Sequence, residues 1–262
     1  MNLSITNAVK AECFASIFQH MKVFTEHINL MIEPERIYIQ SMDTSHVSIV
    51  EVFLPKEWFD EYTLKTESSI TLGISSSLLF RVLNARDKTQ NISIDYNSAE
   101  GDKINIHFTG DKKEEFDKHF ELSLIDIDSE IMNIPEIEYQ AEITLGSQNF
   151  ANIINQLKMF GDNLEFKCSE KEIMLCSSSL EQGKMYVEIE IDDLSSFAID
   201  ENETILSSFS LTFMHNICLY NKLSKEIELK ITKEYPLKVI YKLPMNENAQ
   251  MVFYLAPKLE EE

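Results

Sequence analysis

Apolar residues in the stretch FASIFQHMKVF fall at Phe14, Ile17, Phe18, Met21 and Phe24, steps of three and four that put them on one stripe of a helix. The stretch FANIINQLKMF repeats this at Phe150, Ile153, Ile154, Leu157 and Phe160, a constant 136 residues later. The correspondence continues into the flanks. INLMIEPERIYIQS (28–41) and LEFKCSEKEIMLCS (164–177) alternate apolar and polar positions in step. ISIDY, INIHF and FELSL (92–96, 104–108, 120–124) align with IELKI, LKVIY and MVFYL (227–231, 237–241, 251–255) as the offset drifts to 131. The chain therefore reads as two similar halves of about 120 residues, each the size of a domain.

A second helix is expected in each half, from SSSLLFRVLNAR (75–86) and SLTFMHNICLYNKLS (210–224), each opened by serines able to cap it. Most remaining segments alternate apolar and polar residues and are rich in Ile, Val, Phe and Tyr, as in YVEIEI (186–191), the pattern of half-buried antiparallel strands. The expected class is α+β, with two helices packed on antiparallel sheet in each half. LIDIDSEIMNIPEIEYQ (124–140), acidic and punctuated by Pro135, reads as a connector between domains spanning 1–123 and 141–262.

With 44% hydrophobic residues, 262 positions can fill two ordinary cores, and no apolar run approaches the roughly 20 residues of a membrane-spanning helix. The start MNLSITNAVKAECF lacks the basic and apolar regions of a secretory signal, so an intracellular address is expected. Cys13, Cys168, Cys176 and Cys218 show no C-x-x-C spacing and sit among apolar neighbours, as reduced core thiols do.

A formal net charge of -21 argues at first against a phosphate-binding surface. The placement of the acids reverses that argument. The helical windows 13–24, 74–86, 147–161 and 207–224 hold none of the 44 acidic residues, where random placement would put about ten. They carry Lys22, Arg81, Arg86, Lys158 and Lys222 instead. Glu is a good helix former and solvated helices are normally full of it, so acid-free polar faces point to a polyanion facing them. Weakly basic faces suit loose, sequence-independent phosphate contact. Acids farther away than a Debye length of roughly 8 Å would be screened from it.

Catalytic and metal chemistry find no pattern to rest on. The six histidines form neither H-x-x-x-H nor a Cys/His cluster, and the six glycines make no phosphate-cradling loop. Ser41, Asp43 and His46 lie close together in SMDTSH without a nucleophile elbow or an oxyanion hole. A binding protein is expected, without enzyme activity, cofactor or metal.

QSMDTSHVSIVEVFL (40–54), LSLIDIDSEIMNIPEIEY (122–139), EYPLKVIYK (234–242) and the ending FYLAPKLEEE (253–262) resemble, in order and spacing, signature stretches of the proliferating cell nuclear antigen family of DNA sliding clamps. The resemblance covers the whole chain. It implies a homotrimeric ring whose helices line a channel around duplex DNA, tethering DNA polymerase, the clamp loader and other replication and repair proteins. The edge segment 116–123, with Phe116, His119, Phe120 and Leu122, would pair with the neighbouring subunit's segment 183–190, with Lys184 and Tyr186.

The resemblance further implies a groove for a partner motif of a glutamine and two aromatics. Its floor would be Met42, Val47, Ile49, Met132, Ile134, Pro135, Pro236, Tyr254, Leu255 and Pro257, with His46 and Ala256 as polar contacts. Departures fall on the DNA side, where Ala15, Ser16, Asn152 and Asn155 stand at positions often cationic in the family, and Glu170 replaces the lysine that receives ubiquitin in many relatives, with Lys171 adjacent. A divergent clamp is implied, of a large DNA virus or a protist, acting in the nucleus or in a cytoplasmic viral replication factory. Its relatives include subunits of heterotrimeric checkpoint clamps and monomeric or dimeric viral processivity factors.

Overall fold

The computed structural model describes residues 1–65, 68–97, 101–110, 116–128 and 130–258. The first half runs β1 (Asn2–Ile5), α1 (Ala8–Gln19), β2 (His27–Ile32), β3 (Arg36–Met42), β4 (Ser48–Pro55), β5 (Glu61–Thr63), β6 (Ile70–Ser75), α2 (Ser76–Leu83), β7 (Asn91–Asp95), β8 (Lys103–Thr109) and β9 (Lys118–Ser123). The second runs β10 (Ala141–Gly146), α3 (Ser147–Leu157), β11 (Asn163–Ser169), β12 (Ile173–Ser179), β13 (Gly183–Ile189), β14 (Ser196–Ile199), β15 (Thr204–Ser210), α4 (Leu211–Cys218), β16 (Glu226–Ile231), β17 (Leu237–Lys242) and β18 (Gln250–Leu255).

The two lists share one order of elements, and they share one topology. In the first half the strands lie β5-β1-β7-β8-β9 and β4-β3-β2-β6; in the second, β14-β10-β16-β17-β18 and β13-β12-β11-β15. Adding nine to each strand number converts one half into the other, so the repeated hydrophobic pattern encodes a repeated antiparallel fold. The chain divides into two compact units. One gathers Met1–Thr44, Val50–Ile131 and Leu243–Met251; the other gathers Ser45–Ile49, Met132–Lys242 and Val252–Glu262. Residues 124–131 of the expected connector thus go with the first unit and 132–140 with the second.

Local chemistry corrects the expected helix limits. Asn7 caps α1, its Oδ1 accepting the N–H groups of Val9 (2.9 Å) and Lys10 (3.2 Å), so the helix starts ahead of the Phe14 stripe. It ends at Gln19, and a 3₁₀ turn, Met21–Val23, carries Met21 and Phe24 into the core. The earlier start brings Glu12 into α1, which is therefore not free of acids. Ser75 caps α2 by accepting the Leu78 N–H, whereas α4 stops at Cys218, short of the expected Ser224.

Burial follows strand alternation where one face is wet, as on β7 and β8, and abandons it on β2, where Ile28 to Ile32 are all buried. The second face of β2 is covered by the connector. Ile125 donates its N–H to the Gly73 carbonyl on β6 (2.8 Å), and Asn29 Nδ2 donates to the Ile127 carbonyl (3.2 Å). Gly73 permits this approach: a Cβ there would collide with the Ile125 carbonyl oxygen and press on the Ile127 side chain.

The first unit's core is built around Trp58, which contacts Phe59 edge to face at 5.4 Å and Phe14 at 6.4 Å, and whose Nε1 donates to the Pro244 carbonyl at 3.0 Å. In the second, Tyr220 and Tyr241 pack on Phe253. All four cysteines are buried and free. Burial pushes the Cys13 and Cys218 thiols up to about 12 and that of Cys168 to about 11, so they act as small core residues and not as nucleophiles.

Candidate functional site

Within each unit the two helices pack on one another and keep a polar face outward. α2, α3 and α4 carry no acid. The first turns are the sharper observation. A helix N-terminus is where a carboxylate gains most from the helix dipole, yet none of the four first turns holds one in a chain with 44 acids.

The expected cations divide. Lys22, Arg81, Lys158 and Lys222 are exposed, and no ion pair engages them among the described residues. Each stands in or just beyond the last turn of its helix, where the negative dipole end stabilises a cation. Helix physics alone accounts for their positions; it does not account for the missing acids. Arg86 is a correction. Its side chain is only 3% exposed, with Nη1 donating to the carbonyls of Asp87, Lys88 and Gln90 and Nη2 pairing with Glu12 at 3.2 Å. Burial lowers its pKa, opposed by the charges of Glu12 and Asp87. Arg86 therefore ties the 86–90 turn to α1 and is withdrawn from the cationic set. On the α3/α4 pair, His215 Nδ1 lies 2.7 Å from Asn155 Oδ1; desolvation, then the Lys158 charge, lowers the His215 pKa and favours its neutral form.

Two sheet edges are open. β9 has β8 as its one neighbour in the first unit, and β13 has β12 in the second. Phe116, 81% exposed, precedes β9, and Tyr186, 60% exposed, lies on β13 next to the exposed Lys184. Along β9, His119, Glu121 and Ser123 point outward, while Phe120 packs half-buried against Phe108 and Leu122 is buried. Leu122 is thus a core residue, a correction to its expected place among contact side chains, because alternation assigns it to the inner face.

The expected groove residues belong to the second unit, apart from Met42 at the end of β3. Val47 and Ile49 are half-buried on one side of the chain entering β4, alternating with the buried Ser48. The Ala256 N–H donates to the Val47 carbonyl at 2.9 Å, which joins these two segments and leaves any main-chain contact of Ala256 to its carbonyl. His46 is exposed with φ 58°, an uncommon conformation for a residue with a Cβ. Met132, Ile134, Tyr254 and Pro257 are half-buried, and Pro135 and Pro236 exposed. Leu255 is fully buried and so supports this surface from within. Sequence reasoning missed Lys238, whose ammonium lies 5.6 Å from the Tyr254 ring centre. Its signal was the shared face of adjacent strands β17 and β18, which needs the register. Glu170 accepts the Asn202 N–H at 2.9 Å, a local structural use of that position.

Family models of the proliferating cell nuclear antigen N-terminal and C-terminal domains match residues 6–131 and 133–258. The chain belongs to the proliferating cell nuclear antigen family. It is 27% identical over 255 residues to the proliferating cell nuclear antigen of Chaetomium thermophilum, covering 95% of this chain and 96% of that protein. It is 28% identical over 223 residues to proliferating cell nuclear antigen 2 of Drosophila melanogaster, covering 85% of each. Members of this family are sliding clamps, non-enzymatic processivity factors of DNA replication and repair, and the duplicated α+β fold belongs to that type.

Proposed function

We propose that three copies of this chain close into a ring around duplex DNA and slide on it without reading sequence, holding polymerases and other partners in place. The observation that carries the reading is the exclusion of acids from all four helix first turns, against the dipole preference and in a chain of net charge -21. Topological linkage needs little affinity, so four exposed cations per subunit suffice where a ligand bound by affinity alone would need many more.

Internal equivalence supports the closure. Strand β18 corresponds to β9 and β4 to β13, and within the second unit the end of β18 meets the residues leading into β4 through the Ala256–Val47 bond. The same strands of the other half, β9 and β13, have open edges, and pairing them between copies repeats that contact head to tail. A solution mass near three times 30.3 kDa is expected at micromolar concentration. A stable monomer or dimer would overturn the homotrimer and favour a processivity factor of the same fold that works without a ring.

Glutamate at Lys22 and Arg81 together should weaken retention on DNA at low salt and flatten its salt dependence by about two log units per log unit of salt, near one for each lost phosphate contact. The mass should stay that of the wild type. Unchanged retention would remove these two residues from the DNA face.

The second unit's surface around Val47, Tyr254 and Ala256 is proposed to receive the glutamine-and-aromatics motif of partners, including DNA polymerase and the clamp loader, in the nucleus. Burying one aromatic anchor contributes about 1.5 to 3 kcal/mol. Tyr254→Ala should therefore weaken a peptide of that motif by roughly 10- to 150-fold in a fluorescence anisotropy titration. Leu255→Ala is the poorer variant, since emptying a fully buried site costs about 2 to 5 kcal/mol of fold stability. Equal peptide affinity of wild type and Tyr254→Ala would move the site elsewhere.

A further inference from the structure

His107 on β8 and His119 on β9 stand directly opposite one another in the antiparallel ladder. Their Nδ1 atoms are 2.7 Å apart, with ring centres at 4.9 Å and planes inclined by 62°. His107 Nε2 lies 2.8 Å from Asp95 Oδ1, and the other oxygen of Asp95 accepts from Asn105 Nδ2 at 3.0 Å. A carboxylate can only accept here, so His107 carries a proton on Nε2, and in its neutral form the Nδ1 lone pair faces His119. A carboxylate holding one ring nitrogen while the other presents its lone pair is how proteins orient a metal-ligating histidine. The chain Asn105, Asp95, His107 supplies that support from two adjacent strands, β7 and β8.

We propose that His107 and His119 bind a divalent transition-metal ion through their Nδ1 atoms, with Asp95 as the residue that positions His107. An ion about 2.05 Å from both nitrogens at their present separation would see them at roughly 80°. That is near the right angle between adjacent ligands of a square-planar or octahedral ion; a tetrahedral ion would need the nitrogens to open to about 3.3 Å. The geometry thus ranks Cu(II) and Ni(II) above Zn(II), and the general affinity order of imidazole sites puts Cu(II) first.

Binding replaces the hydrogen bond between the rings. If that bond's proton sits on His119 Nδ1, it moves to Nε2 by exchange with water, which the exposure of His119 allows, and the histidine pair keeps its charge. Among the described residues no group of three or more His, Cys, Asp or Glu converges on a metal position, so water completes the shell and the ion exchanges freely. One ligand belongs to the edge strand and the other to its neighbour, so the ion fastens β9 to the sheet in the folded state alone and stabilises it by mass action.

The test titrates the full chain with CuCl₂ and with NiCl₂. Wild type is expected to bind one Cu(II) with an electron paramagnetic resonance spectrum of two equatorial imidazole nitrogens, and Ni(II) is expected to raise its Tm. His119→Ala, a change at an exposed position, should lose both responses. Asp95→Asn should keep the two-nitrogen spectrum but weaken binding by about 10- to 100-fold. The proposal is overturned if the Cu(II) spectrum and Tm response of His119→Ala equal those of wild type, or if wild type binds neither ion.

Discussion

Glutamate at both Phe116 and Tyr186 is expected to turn a three-subunit assembly into monomers of 30.3 kDa. Each side chain is large, apolar and mostly exposed in the single chain, and each lies on or beside a strand edge that has no neighbour in its own unit. In a head-to-tail ring the two edges meet at every interface, so one double variant damages all three contacts at once. Burial of an aromatic contributes about 1.5 to 3 kcal/mol, and two of them lost per interface come to about 4 kcal/mol, near a thousandfold in the dissociation constant. The introduced carboxylates would add their own desolvation cost. Light scattering at micromolar concentration reads the outcome, with circular dichroism as the check that the fold is kept. Wild-type mass in the double variant would mean that the copies meet through other surfaces.

Trp58→Ala should destabilise the first unit by about 3 to 5 kcal/mol, a large part of the 5 to 15 kcal/mol that holds a typical domain together. The residue has no exposure, touches Phe14 and Phe59, and has the Lys10 ammonium 5.9 Å from its ring centre. Truncation leaves a cavity among these rings and strips the Pro244 carbonyl of its donor. Trp58→Phe should cost less, since a ring remains to fill most of the space. Denaturant unfolding followed by far-ultraviolet circular dichroism, which does not depend on the lost indole, separates the two variants. Equal stability of Trp58→Ala and wild type would remove Trp58 from the centre of this core.

How far the sequence spoke depends on which force fixed each feature. The repeat and its strands were legible because burial imposes the period of two on β7, β8, β16 and β17. The limits of α1 were not, because they depend on the Asn7 side chain rather than on the apolar stripe; the misplaced start hid Glu12 and made α1 look acid-free. Arg86 looked like any exposed cation until the turn it closes was visible, since three carbonyls within four residues of it gather around one guanidinium. Leu122 and Leu255 sit next to surface residues in sequence and inside the core in space, a distinction that needs the facing direction of their strands. His107 and His119 lie twelve residues apart, a spacing that matches no ligand motif; only the β8/β9 register brings their nitrogens together.

Encirclement is the central claim, and its most direct measurement is retention on DNA whose ends can be opened at will. Clamp loaded onto a nicked circular duplex should stay bound through gel filtration at moderate salt and be released when a single restriction cut linearises the circle, because a ring held by topology slides off an end. Equal retention on circular and linear duplex, with both lost as salt rises, would show binding by charge alone and contradict the ring.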